Sequence, residues 1–232
     1  LIERRQTGEP VAYLTGERGF WTLNLKTNSA TLIPRADTEC LVEHALATVE
    51  QAQAKVLDLG TGTGAIALSL ATEKPGWAVH ACDFSVDAVD LARLNLVQVK
   101  RDGFDVNVSI QHSDWFVAYE QQHLASFDLI VSNPPYIDPQ DHHLDEGDLR
   151  FEPQSALVAQ NQGYADIFYI IEQAGRFLKP SGWLMIEHGA LQGTQVRQCF
   201  EQHHFSQVET IKDLAQNERF TVGCRCQVNK CD

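Results

Sequence analysis

No apolar run in these 232 residues approaches the roughly 20 needed for a membrane-spanning helix, and no leader-like pattern opens the chain. The composition therefore predicts a soluble, cytoplasmic globular protein with no membrane association. Basic residues are scarce: 18 Lys and Arg stand against 31 Asp and Glu, giving a net charge of −13. A broad grip on nucleic acid needs clustered cations to displace counterions from phosphates, which argues against direct nucleic-acid binding. A local basic patch remains compatible with the balance, and an acidic surface also serves plain solubility. The six cysteines, Cys40, Cys82, Cys199, Cys224, Cys226 and Cys231, contain no CxxC pair. Their spacing fits neither a zinc site nor a disulfide framework, so reduced thiols and no structural metal are expected. Internal repeats and low-complexity stretches are absent. The opening Leu1-Ile-Glu-Arg-Arg5 reads like the interior of a longer protein.

What is present is an alternation of strand and helix signals. Residues 1–18 predict a short helix and a turn at Gly16. Alternation from Phe20 to Leu32, with Asn28-Ser29 inside it, predicts a β-hairpin at about 20–33. A helix is expected to open at Pro34-Arg35-Ala-Asp37, with Asp37 as its cap and Leu41, Val42, Ala45, Leu46 and Val49 as its apolar stripe. Strands are expected at 56–59, 78–82, 106–110, 127–131 and 183–187, interleaved with helices at 65–71, 86–99, 167–177 and 192–203. Val208–Ile211 and Phe220–Cys226 leave no room for a helix between them and should pair antiparallel. The pattern is that of an α/β domain with a mostly parallel sheet covered on both faces. Ligands of such sheets sit beyond the carboxyl ends of the strands, near the switch point.

Asp58-Leu-Gly60-Thr61-Gly62-Thr63-Gly64 joins the first long strand to its helix. Glycines allow a tight turn and a close ligand approach, and the helix start offers unpaired N–H groups. The next strand ends at Asp83, where a carboxylate can accept from both ribose hydroxyls of an adenosine. Gly60, Gly62 and Ala65 also satisfy the dinucleotide fingerprint, so NAD stays open on the glycines alone. The third glycine, the acidic Asp58 and a possible adenine contact favour S-adenosyl-L-methionine. That contact is Asp114, accepting from the adenine amino group, with Trp115 against the base; an ordinary core aromatic is the plainer account of Trp115.

The most informative stretch is Asn133-Pro134-Pro135-Tyr136, directly after the apolar run Phe127-Asp-Leu-Ile-Val-Ser132. An amide nitrogen is a poor nucleophile because its lone pair is delocalised into the carbonyl. It must become tetrahedral to attack a methyl sulfonium. Two fixed acceptors, the Asn133 side-chain oxygen and the Pro134 carbonyl, would bind its hydrogens better as it pyramidalises, which is selective stabilisation of the transition state. The prolines stiffen the loop, and Tyr136 can pack on a flat amide or base. The motif alone thus indicates methyl transfer to a planar nitrogen, amide or base. The bland alternative is a proline turn ending a strand.

Together these residues resemble the class I S-adenosyl-L-methionine-dependent methyltransferases, and specifically the peptide chain release factor N5-glutamine methyltransferases. The resemblance runs through Gly8-Glu-Pro-Val-Ala-Tyr-Leu-Thr-Gly16, Leu32-Ile-Pro-Arg-Ala-Asp-Thr-Glu39, the glycine loop, Asp114-Trp115, Asn133-Pro-Pro-Tyr-Ile137, Phe151-Glu-Pro153 and Asn217-Glu-Arg219. It implies a Rossmann-like fold with a seven-stranded, mostly parallel sheet, an antiparallel last strand and a preceding β-hairpin. It implies methyl transfer to N5 of the glutamine in the Gly-Gly-Gln motif of class 1 release factors. Residues 1–18 then read as a linker from a missing N-terminal helical domain, and 19–232 as the catalytic domain. Ala36 replaces the family's usual second proline of its signature. A monomer is expected.

Several residues carry two readings. Arg35 and Glu39 either shape the substrate pocket or brace the loop. Phe20 either walls the glutamine pocket or belongs to the hairpin core. His188, after Glu187 at a strand end, reads as structural rather than catalytic. An adenine-N6 nucleic-acid methyltransferase shares the loop chemistry but needs a basic groove and a recognition region. A ribosomal-protein glutamine methyltransferase is nearer, although the Asp37-Thr-Glu39 form of the signature favours the release-factor enzyme. A module that binds the cofactor without turnover is opposed by the intact Asn133 and Tyr136.

Overall fold

The computed structural model describes residues 1–145 and 147–226; Cys231 lies outside the described residues. Two short helices, α1 (Ile2–Gln6) and α2 (Val11–Thr15), open the chain, and Gly16 closes the second at φ +77°. The hairpin follows at once as β1 (Glu17–Phe20) and β2 (Leu23–Lys26), with Phe20 opposite Leu23. Its turn is therefore Trp21-Thr22, with Trp21 at φ +54°, and not Asn28-Ser29. Asn28 does make a local turn, accepting from the Ala30 N–H at 2.9 Å, but beyond Thr27, whose N–H donates to the Gly16 carbonyl at 3.0 Å, residues 28–33 form no strand. Leu23, Leu25 and Thr27 alternate inward along the true strand and its exit, and that alternation extended the sequence prediction too far.

Helix α3 (Glu39–Thr48) begins later than the sequence suggested, after a 3-10 turn at Ala36–Thr38. Asp37 does not cap it; its carboxylate meets Arg219 at 3.1 Å instead. The alternating body then runs β3 (Lys55–Leu59), α4 (Ala65–Glu73), β4 (Ala78–Asp83), α5 (Val86–Arg101), β5 (Asn107–His112) and β6 (Phe127–Ser132). After a loop of 3-10 turns come a single turn α6 (Gln160–Gly163), α7 (Ala165–Phe177), β7 (Leu178–Glu187), α8 (Gly193–Gln202), β8 (Phe205–Lys212) and β9 (Glu218–Arg225). The seven-stranded sheet has the order β5-β4-β3-β6-β7-β9-β8. Strands β3 to β7 pair in parallel, and β9 lies antiparallel between β7 and β8. Among the described residues no helix is long and apolar enough to cross a membrane.

Apolar strand residues alternate between two cores, as expected for a sheet buried on both faces. One core gathers Leu41, Val56, Leu68, Trp77 and Val131, and the other Leu57, Phe116, Ile130, Phe177 and Phe200. The chain reverses its direction of sheet growth between β3 and β6, where Leu59 pairs with Ser132 and the Ser132 hydroxyl donates to the Leu59 carbonyl at 2.8 Å. The glycine loop and the Asn133 loop therefore leave adjacent strands side by side. Asn95 of α5, almost fully buried, holds the front edge together. Its Oδ1 accepts from the Lys26 N–H at 2.7 Å, and its Nδ2 donates to the carbonyls of Lys26 and Thr63 at 3.1 and 2.8 Å. One side chain so ties hairpin, helix and glycine loop.

Candidate active site

At the carboxyl end of the sheet, over the switch point, opens a cavity of about 400 Å³. Gly60, Thr61, Gly62 and Thr63 form its floor, and Gly60, Gly62 and Gly64 all have positive φ, a region glycine enters without steric cost. A Cβ at Gly60 would lie in ordinary contact with the Trp115 ring, 3.4 Å from its nearest carbon, so it is the φ of +70° that favours glycine there. Asp83 lines the cavity, with Oδ2 accepting from the Gly62 N–H and Oδ1 from the Ser85 N–H, both at 2.9 Å. Each oxygen keeps a further acceptor position. Burial pushes the Asp83 carboxyl up, against the pull of those N–H groups. Asp114 and Trp115 line the same cavity.

Asp58 does not reach the cavity wall. It is fully buried behind the loop, where Oδ2 accepts from the Thr61 hydroxyl at 2.7 Å and the Ala67 N–H at 3.1 Å, bracing the turn. Its Oδ1 has no partner. Burial pushes this carboxyl up to about 7, opposed by the Thr61 and Ala67 bonds. An unfolded aspartate titrates near about 4, so the native state holds this proton more tightly. The stabilising contribution is then complete below about pH 4 and is lost as pH rises to about 7. Asp58→Asn keeps an acceptor and removes the titration. The melting temperature of the variant, relative to the parent, should rise between pH 5 and pH 8. A gap that does not change with pH would count against an uncharged, buried Asp58.

Asn133 stands where the large cavity meets a smaller one of about 60 Å³, and it lines both, as do Leu32, Arg35 and Ala156. Pro135 faces the larger, while Pro134 and Tyr136 face the smaller. The Asn133 Nδ2 donates to the Thr38 hydroxyl at 3.3 Å, leaving Oδ1 as the open acceptor. Tyr136 has its hydroxyl turned to the buried Glu187, 3.4 Å away, and its carbonyl accepts from Gln192 at 3.1 Å. Gly163 packs so closely on that carbonyl that a side chain there would collide with it. Asn161 and Gln162, just before it, also adopt positive φ.

Arg35 lines both cavities and pairs at 2.5 Å with Glu152, whose other oxygen accepts from the Ile33 N–H at 3.0 Å. Glu152, 5% exposed, thereby clamps the segment leading into the site. Glu39 is a brace, accepting from the Trp21 N–H at 2.9 Å. Phe20 is buried in the hairpin core and lines the large cavity, not the small one beside Tyr136 where a wall of the glutamine pocket was expected. His188 is fully buried and bonded to Gly189 and Thr221, and burial holds its imidazole below the usual range, which fits a structural residue. Sequence reasoning missed Asp166, on the first turn of α7, which lines the cavity. Burial, with the charge of Asp114, raises its carboxyl. It missed Thr31 as well, a cavity residue with a buried hydroxyl that has no partner.

Asp83, Asp114 and Asp166 give the large cavity three carboxylates, and Arg35, at the end toward Asn133, is its one basic side chain among the described residues. A dinucleotide brings a dianionic pyrophosphate, which this field opposes. S-adenosyl-L-methionine brings a sulfonium and an ammonium, which it favours. The volume, the glycine floor and the unpartnered Thr31 hydroxyl fit the same ligand.

The family profile described as "Methyltransferase small domain" matches residues 36–150. A release factor glutamine methyltransferase of Salmonella typhimurium is 54% identical over 223 residues, spanning 96% of this chain and 78% of the relative. The Escherichia coli protein of the same name is 52% identical with the same coverage. Among solved structures, a methyltransferase from Pyrococcus furiosus superposes with a TM-score of 0.65 over 97% of this chain and 98% of its own, at 16% identity, a likeness of fold. With the Rossmann-like sheet and the two loops meeting at its switch point, identity of this extent means that the chain belongs to the release factor glutamine methyltransferase family.

Proposed function

We propose that this protein transfers a methyl group from S-adenosyl-L-methionine to N5 of the glutamine in the Gly-Gly-Gln motif of class 1 peptide chain release factors. The observation that carries the reading is Asn133 at the junction of the two cavities, its NH₂ tied back to Thr38 and its oxygen open. The large cavity suits the cofactor, and the small one, walled by Leu32, Pro134, Tyr136 and Leu157, suits a flat, neutral side chain such as a carboxamide. When bound, the cofactor supplies an electrophilic methyl on sulfur. The chain's own part is to hold the amide so that its hydrogens meet the Asn133 oxygen and the Pro134 carbonyl as the nitrogen turns tetrahedral. The methylated nitrogen is then acidic enough to release its proton to water without a strong base.

The family's relatives are named for the release factor glutamine, and the net charge of −13 opposes the adenine-N6 alternative. Incubation with methyl-labelled S-adenosyl-L-methionine and either a class 1 release factor or DNA separates the readings. Label should enter the release factor alone, and a Gln→Ala change in its Gly-Gly-Gln motif should abolish it. Label in DNA and none in the protein would overturn the proposal.

A further inference from the structure

Where β7 ends, the chain turns through residues 188–192 and packs against the loop that carries Asn133. Gln192, 9% exposed, bridges the two segments. Its Oε1 accepts from the Gly189 N–H at 2.8 Å, and its Nε2 donates to the Tyr136 carbonyl at 3.1 Å. A backbone N–H can only donate and a carbonyl can only accept, so these two partners allow the side-chain amide one orientation. The peptide group between Tyr136 and Ile137 is thereby held at both ends, since the Ile137 N–H donates to the Leu157 carbonyl at 2.9 Å. Tyr136 and Leu157 both line the smaller cavity, whereas Gln192 lines neither cavity.

The turn that presents Gln192 is itself fixed from behind. The Gln192 N–H donates to the Gly189 carbonyl at 2.9 Å and closes the turn, and His188 Nδ1 lies 2.9 Å from the same oxygen. That oxygen can only accept, so Nδ1 carries the hydrogen. Burial holds the imidazole below its usual range, so near neutral pH it is uncharged and Nε2 is bare. Nε2 then accepts from the Thr221 hydroxyl at 2.8 Å. Thr221 accepts in turn from the Thr210 hydroxyl, and Thr210 from the Arg197 guanidinium, both at 2.7 Å. Every donor in this row faces an acceptor, from Arg197 on α8 to the carbonyl of Gly189. Gly163 presses on the bridge from the other side: a Cβ there would come within 2.9 Å of Gln192 Nε2.

We infer that Gln192 is a positioning residue: by fixing the Tyr136 carbonyl it holds the wall of the smaller cavity against the substrate side chain, and the row of hydrogen bonds from Arg197 to Gly189 keeps it in place. The inference deepens the proposed function and rests on it for the identity of that side chain. Without the Gln192 donor, the Tyr136 carbonyl has to reach water, and the loop has to move for it to do so. That movement is passed to Pro134 and Asn133, two and three residues back, which hold the reacting nitrogen. A misplacement of about 1 Å there is enough to cost about a hundredfold in rate.

Gln192→Glu keeps the shape but, once ionised, has no hydrogen for the Tyr136 carbonyl, and Gln192→Met keeps the length and has neither polar end. With release factor as substrate, both should lower kcat about tenfold or more, glutamate the more severely, while the Kd for S-adenosyl-L-homocysteine changes less than about threefold. A residue that served packing alone would leave both variants mild. Unchanged kcat in both, or a loss of product affinity as large as the loss of rate, would overturn the inference. A readout that needs no variant to fold is the NMR signal of the Gln192 side-chain NH₂ in the parent. One of its hydrogens is held by a carbonyl at a buried site, so it should exchange with solvent at least about tenfold more slowly than the NH₂ of the exposed Gln121. Exchange as fast as that of Gln121 would also overturn the inference. Slow exchange in a parent that does not methylate release factor would support the bridge and refute the substrate reading.

Discussion

Asn133→Ala should reduce turnover by at least about a hundredfold while leaving the affinity for the cofactor product S-adenosyl-L-homocysteine within about threefold. The expected size follows from the loss of one preorganised polar contact at the reacting centre, about 2.7–4 kcal/mol of transition-state stabilisation. The amide nitrogen of a glutamine forms only weak bonds to acceptors while it is planar, and stronger ones as positive charge develops on it. The Asn133 oxygen therefore contributes mainly to the transition state, so the loss should fall on kcat and not on KM. Cofactor binding is expected to survive because the large cavity is built chiefly from other groups: the glycine floor, Asp83, Asp114 and Trp115. Steady-state kinetics with release factor and calorimetry with the product measure the two quantities separately. Equal rates for variant and parent would remove Asn133 from the mechanism. A collapse of product affinity alongside the rate would make it a cofactor-binding residue instead.

The sequence carried the body of this fold because its signals there are local. Continuous apolar strands, glycine at the first crossover and amphipathic helices each depend on near neighbours, and from Lys55 to Gln202 every expected strand and helix forms, although β7 starts at Leu178 rather than Trp183 and takes in residues 179–182 across an irregularity in its pairing with β6. The hairpin was mislocated because alternation does not mark where pairing stops: Leu23, Leu25 and Thr27 point inward alike, although the strand ends at Lys26. Asp37 was misassigned as a cap because its actual partner, Arg219, is remote in the chain and meets it only through the antiparallel insertion of β9. The same remoteness hid Glu187, Asn95 and Asp166. Each is an ordinary residue of a strand or helix until the sheet order brings it to the site. Asn133, by contrast, was legible because strand end, proline pair and tyrosine are contiguous. What could not be read from it was the partner of its amide, Thr38, from a different part of the chain.

Asp83→Ala should weaken binding of the cofactor product by about thirtyfold or more and lower turnover at saturating cofactor by less than about tenfold. Two effects combine. A carboxylate accepting from both ribose hydroxyls forms charge-assisted bonds, each contributing about 1.5–3 kcal/mol. The same oxygens hold the Gly62 and Ser85 N–H groups, so their removal also loosens the floor of the cavity. Asp83→Asn separates these contributions. Its one oxygen can keep a single backbone bond, but its NH₂ group meets the other N–H and cannot accept from a second hydroxyl, so most of the affinity loss should already appear there. The charge matters too. With Asp83 neutral, Asp114 and Asp166 remain to attract the cationic cofactor, and affinity for the uncharged thioether product should fall by a factor similar to that for the cofactor itself. A much larger loss for the cofactor would mean that Asp83 acts as a counter-charge to the sulfonium rather than as the ribose acceptor. An unchanged dissociation constant for both would remove it from the binding site altogether.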